Sequence, residues 1–151
     1  MTQTATMGPG EKPLKDFLFP LEANLAVRLR TLAHAWTTSG GSLLVGKLSI
    51  RLVGCDSAGR PFTAGTLHAN QGGRPALELC KVLLLAHGVS APAWQEWCDE
   101  RPELRGHGFD PGAKFPLVGL DRLSDGALAR LALGLRDLGL AVSRGAPEPR
   151  S

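Results

Sequence analysis

The sequence predicts an α+β fold in which a β-hairpin, or a small antiparallel sheet grown from it, packs against four helices in the order α-β-β-α-α-(β)-α. Three observations carry this. Apolar residues recur at helical steps from Leu21 to Trp36; the period then drops to two between Ser42 and Gly54; two later leucine-rich stretches, after Pro75 and after Ser124, return to helical spacing. Strands do not alternate with helices along the chain, so a doubly wound nucleotide-binding sheet is not expected.

In chain order, residues 1–16 mix Thr, Gly, Pro and charge without a period and read as a flexible tail. Leu21, Leu25, Leu29, Leu32 and Trp36 form the stripe of an amphipathic helix, which Ser39-Gly40-Gly41 should close. From Ser42 to Gly54, Leu44, Leu48, Ile50 and Leu52 share one parity, with Lys47, Ser49 and Arg51 on the other, as in a half-buried strand. The turn residues Asp56-Ser57-Ala58-Gly59 lead into a second strand, Pro61 to Ala69. Pro75 suits the first residue of a helix and Gly88 its stop; the leucines between them predict a central, buried helix. Ser90 and Pro92 start a shorter helix carrying Trp94 and Trp97, ending before Pro102. After a polar loop, Phe115 to Leu120 is a candidate short strand. Ser124 is the expected N-cap of a last helix with Leu128, Leu131, Leu135 and Leu138 on one face, closed by Gly139. Residues 144–151 read as a second flexible tail, leaving 17–143 as one domain.

The 151 residues suffice for one core without disulfide or metal staples. With 43% hydrophobic and 21% charged residues the chain is neither disordered nor fibrous, and its 19 glycines and 11 prolines imply many turns. The longest apolar run, Val82 to Ala86, is too short to span a bilayer, and Met1 to Gly10 has no signal-type apolar stretch, so a cytoplasmic protein without membrane contact is expected. Cys55, Cys80 and Cys98 form neither a disulfide framework nor a CxxC pair.

Charge is polarised along the chain. Between Asn24 and Arg74 the positives Arg28, Arg30, Lys47, Arg51, Arg60 and Arg74 face one acid, Asp56, whereas acids outnumber bases from Ser90 to Asp125. A basic stretch of this kind suits an acidic protein surface or a polyanion. Trp94 and Trp97, three apart on a short helix, add a candidate interface, because tryptophan is enriched at interface hot spots.

Catalytic readings are weaker. Gly41 to Lys47 has the G-x-x-x-x-G-K spacing of a phosphate loop, but Leu48 stands where Ser or Thr should follow and the segment enters a strand. Cys98, His107 and Asp110 have the residue types of a thiol triad without a local signature. Cys80, His87, Cys98 and His107 lack the close spacing of zinc ligands. The sequence thus predicts a non-catalytic binding or adaptor protein with no cofactor and no metal. Its partner would be another protein, met through Lys47, Arg51, Arg60 and Arg74 and, less firmly, Trp94 and Trp97. Nucleic-acid binding through the same basic face is the alternative, and a small cysteine-dependent enzyme the third reading. Homodimerisation through an apolar helix face is compatible with the first two.

Overall fold

The computed structural model of the protein describes residues 11–144; the stretches 1–10 and 145–151, which hold most of the two expected tails, lie outside the described residues. Helices α1 (Glu11–Leu18) and α2 (Ala23–Thr38) lead into strands β1 (Ser42–Val45), β2 (Ser49–Cys55), β3 (Pro61–Gln71) and β4 (Arg74–Leu79). Helices α3 (Lys81–Ala86) and α4 (Ala91–Asp99), a 3-10 turn (Pro102–His107), strand β5 (Leu117–Gly119) and helix α5 (Asp125–Arg144) complete the order. The strands make one antiparallel sheet in the spatial order β1-β2-β3-β4-β5, larger than a hairpin. The fold is α+β.

Helix α2 is the first anchor. Glu22 caps it by accepting the Asn24 and Leu25 N–H groups, and those two backbone donors hold its carboxyl below the ordinary range. Its stripe of Leu29, Leu32, Ala33 and Trp36 is buried as the periodicity requires, and Trp36 Nε1 donates to Val53 O at 2.9 Å, tying the helix to β2. The chain leaves α2 through Gly40 at φ 101°, which only glycine adopts without strain. Residues 11–16, expected to be loose, instead start α1, because Leu14 and Leu18 lie one helical turn apart and both bury against the core.

Three further expectations are corrected. Ser42 to Gly54 is two strands, not one: Gly46 N–H donates to Ser49 O and turns the chain, so Leu44 and Leu48 leave the core parity. The helix expected from Pro75 to Gly88 is strand up to Leu79 and helix only from Lys81 to Ala86. Gly72 and Gly73, at φ 63° and 96°, form a tight hairpin turn that starts β4, and Leu77 and Leu79 then alternate inward at period two. Pro75 survives in a strand because it falls where the β3–β4 register breaks, between the His68–Ala76 and Gln71–Arg74 pairs, so its missing N–H costs no ladder bond. Finally, α5 starts after Ser124, whose hydroxyl accepts the Ala127 N–H as expected, but it runs through Gly139 to Arg144. Gly139 is needed there for closeness, since a Cβ would stand 2.6 Å from Ser39 Cβ of the α2 cap.

A hydrophobic cluster reaching from Leu14 to Val142 fills the space between the helices and one face of the sheet. The other face presents the cross-strand row Leu44, Arg51, Thr66, Glu78 and Leu117, exposed or half-buried. No helix among the described residues is long and apolar enough to cross a membrane.

Candidate functional site

The β1–β2 hairpin brings together exposed apolar and basic residues. Its turn is set by Gly46, so Lys47 and Leu48 occupy the tip, and the antiparallel register places Arg51 directly opposite Leu44. Leu44 is 56% exposed and Leu48 82%. Lys47 and Arg51 are exposed beside them and hold no carboxylate among the described residues. Two exposed leucines and two cations therefore share one hairpin. A leucine left in water forfeits roughly 1.5–3 kcal/mol of burial free energy, which a partner covering it would recover.

The other two basic residues do not join this patch. Arg60 lies beyond β2, at the opposite end of the strand from Lys47, and its Nε stands 3.3 Å from Asp56 Oδ2. Arg74 shares the hairpin's end of the sheet but grips Asp121 with Nη2 at 2.9 Å and Nε at 3.2 Å, which holds the Asp121 carboxyl below its ordinary range. Arg28, part of the basic stretch in the sequence, is buried and spends Nη1 on the carbonyls of Leu120 and Leu123, at 3.0 and 2.8 Å. The basic stretch is thus continuous in sequence and scattered in space.

The tryptophans also fall away as a surface. Trp94 and Trp97 stack on one another at 5.6 Å and pack against Phe109, both almost fully buried. Each indole N–H is used internally, Trp94 on Pro111 O and Trp97 on Gly134 O. Arg101 lies over the Trp97 ring at 4.6 Å. These residues are core.

No hydrogen bond joins Cys98, His107 and Asp110. Cys98 is buried, and burial, aided by nearby Asp99, pushes its thiol up to about 11, which disfavours the thiolate at neutral pH. Asp110 instead accepts the Gly112 N–H within its own turn. Among the described residues no three or more His, Cys, Asp and Glu side chains gather as metal ligands. The chain from Gly41 to Lys47 is strand β1 and its turn, not a phosphate loop before a helix.

One polar cluster was missed by sequence reasoning. Asp56, nearly buried, accepts the Ala58 and Arg60 N–H groups, and His87 Nδ1 lies 2.8 Å from its other oxygen. The His87 hydrogen bond first, then the backbone donors, lower the Asp56 carboxyl to about 2. A carboxylate only accepts, so His87 carries its proton on Nδ1. The imidazole also stacks on Phe62 at 4.2 Å and 4°. The signal in the sequence was the Asp-x-x-Gly turn; its histidine, thirty-one residues away, had none.

Compared with protein-family models, curated proteins and solved structures, the chain matches none.

Proposed function

We propose that this protein is a non-catalytic binding module that engages a protein partner through the β1–β2 hairpin. One observation carries the proposal: Leu44 and Leu48 are exposed on the same β-hairpin as Lys47 and Arg51. Solvated leucines offer nothing to a phosphate backbone, whereas apolar anchors with an arginine beside them are what protein interfaces bury. The partner would present a small apolar depression flanked by carboxylates. The setting we propose is cytoplasmic, in keeping with three free cysteines.

The test uses the tagged full-length protein as bait in lysate of its host, treated with nuclease and washed over a salt gradient, beside the double variant Leu48→Asp, Arg51→Glu. Both positions are exposed, so the variant should unfold at the same temperature as wild type. A stoichiometric protein captured by wild type and lost by the variant is the expected result. A partner retained by the variant removes the hairpin from the interface. The second reading, a nucleic-acid accessory protein, draws on the same two cations, which have no carboxylate partner among the described residues. It would replace the first if the captured material disappeared with nuclease.

A further inference from the structure

Helices α1 and α2 meet at an angle that leaves a groove of about 650 Å³ between them. Leu14, Leu18 and Ala26 form its buried floor, and Phe19, 88% exposed, and Val27, 49% exposed, stand on its lip. Each wall carries a cation, Lys15 from α1 and Arg30 from α2, and among the described residues no carboxylate lines the groove. Neither cation has a carboxylate partner among the described residues.

We propose that this groove is a docking site for an acidic amphipathic helix. The charge pattern sets the occupant's chemistry. An apolar stripe is needed to cover the leucine floor, and acidic residues are needed on both flanks of the stripe, because the cations sit on opposite walls. A helix with leucine or phenylalanine at i, i+3 or i+4, and i+7 and with Glu or Asp beside them supplies both features and makes a third helix of the layer. A polyanion such as nucleic acid has no apolar face for the floor. A single acyl chain would leave Phe19 and Val27 uncovered on the lip. The groove is lined by residues of α1, α2 and the turn between them, and none of its lining residues lies on the β1–β2 hairpin.

The test titrates the full-length protein into a dye-labelled synthetic helix carrying leucines at those positions and glutamates on both flanks, with a counterpart in which lysines replace the glutamates. Fluorescence anisotropy should show saturable binding of the acidic peptide, tighter than the lysine peptide by about tenfold or more. Phe19→Ser, at a fully exposed position, should weaken binding, and Lys15→Glu with Arg30→Glu should reverse the preference toward the lysine peptide. Leu48→Asp with Arg51→Glu should leave the titration unchanged, which separates this site from the hairpin. The proposal is overturned if the acidic peptide does not saturate, if both peptides bind equally, or if the groove variants have no effect. It is overturned equally if oleate displaces the peptide and binds more tightly, which would assign the groove to an acyl anion. Sedimentation showing a dimer that Phe19→Ser dissociates would assign it to a second copy of the chain.

Discussion

Asp56 shows what a single residue contributes to this fold. Its carboxylate closes the β2–β3 turn through the Ala58 and Arg60 N–H groups and holds His87 at the end of α3, so one side chain joins the sheet to a helix. The carboxyl sits at about 2 in the folded protein against 3.8 ordinarily, chiefly because of His87. Between those values the unfolded chain binds the proton that the native state refuses. The stabilisation is therefore complete above pH 3.8 and is lost as the pH falls through about 2. Asp56→Asn should lower the urea midpoint at pH 7, and the gap to wild type should close as the pH approaches 2. A gap that stays constant over that range would mean that the carboxylate charge is not what holds the turn. The same logic of environment explains Cys98: it has the atoms of a nucleophile, but burial keeps it a thiol.

At the level of elements, the sequence was legible wherever one period ran unbroken and illegible where glycine or proline reset it. The α2 stripe, the Ser90 cap of α4 and the Ser124 cap of α5 were read from local chemistry and stand in the structure. The segment after Pro75 misled because proline and a run of leucines satisfy a helix start as well as a strand that turns into a short helix. Only the Gly72-Gly73 turn and the pairing with β3 and β5 decide between them. For the same reason Leu44 and Leu48 counted as core until Gly46 was seen to turn the chain. Of the candidate site, Lys47 and Arg51 were legible as a basic pair; the exposed leucines beside them and the internal partners of Arg60, Arg74, Trp94 and Trp97 were not, because those depend on long-range contacts. Gly134, in the middle of α5, marks a close approach between elements. A Cβ there would lie 2.8 Å from Trp97 Cζ2 and closer still to Arg101 Nε, where α5 crosses the α4 end. Gly134→Ala gains about 1 kcal/mol of helix propensity. Overpacking against a buried indole costs about 1–3 kcal/mol, and more where the neighbour is pinned, as Trp97 is by its bond to Gly134 O. The balance should be a net destabilisation in urea unfolding, whereas an unchanged or raised midpoint would show that Arg101 and Trp97 move aside freely.

Across the whole molecule, the distribution of charge sets which partners the surface can hold. The chain has 17 Lys and Arg against 14 Asp and Glu, but several of the basic residues are committed internally. Arg28 and Arg101 are buried on backbone carbonyls; Arg60, Arg74 and Arg130 face Asp56, Asp121 and Glu103; Lys12 faces Asp16. On the β1–β2 hairpin, Lys47 and Arg51 have no carboxylate partner among the described residues and can meet a phosphate backbone. Each phosphate neutralised on duplex DNA contributes about −0.9 to the slope of log Kobs against log salt, so two contacts give about −2. Affinity for a short duplex should therefore be weak, with a slope no steeper than that, and should vanish in Lys47→Glu, Arg51→Glu. A protein partner held by Leu44 and Leu48 should keep most of its affinity over the same salt range, because apolar burial is not screened. A slope several-fold steeper would require cations beyond the hairpin, such as Lys15, Arg30, Lys114 or Arg122, to join the contact. Such a result would move the protein from the protein-binding class to the nucleic-acid class and the interface away from the hairpin.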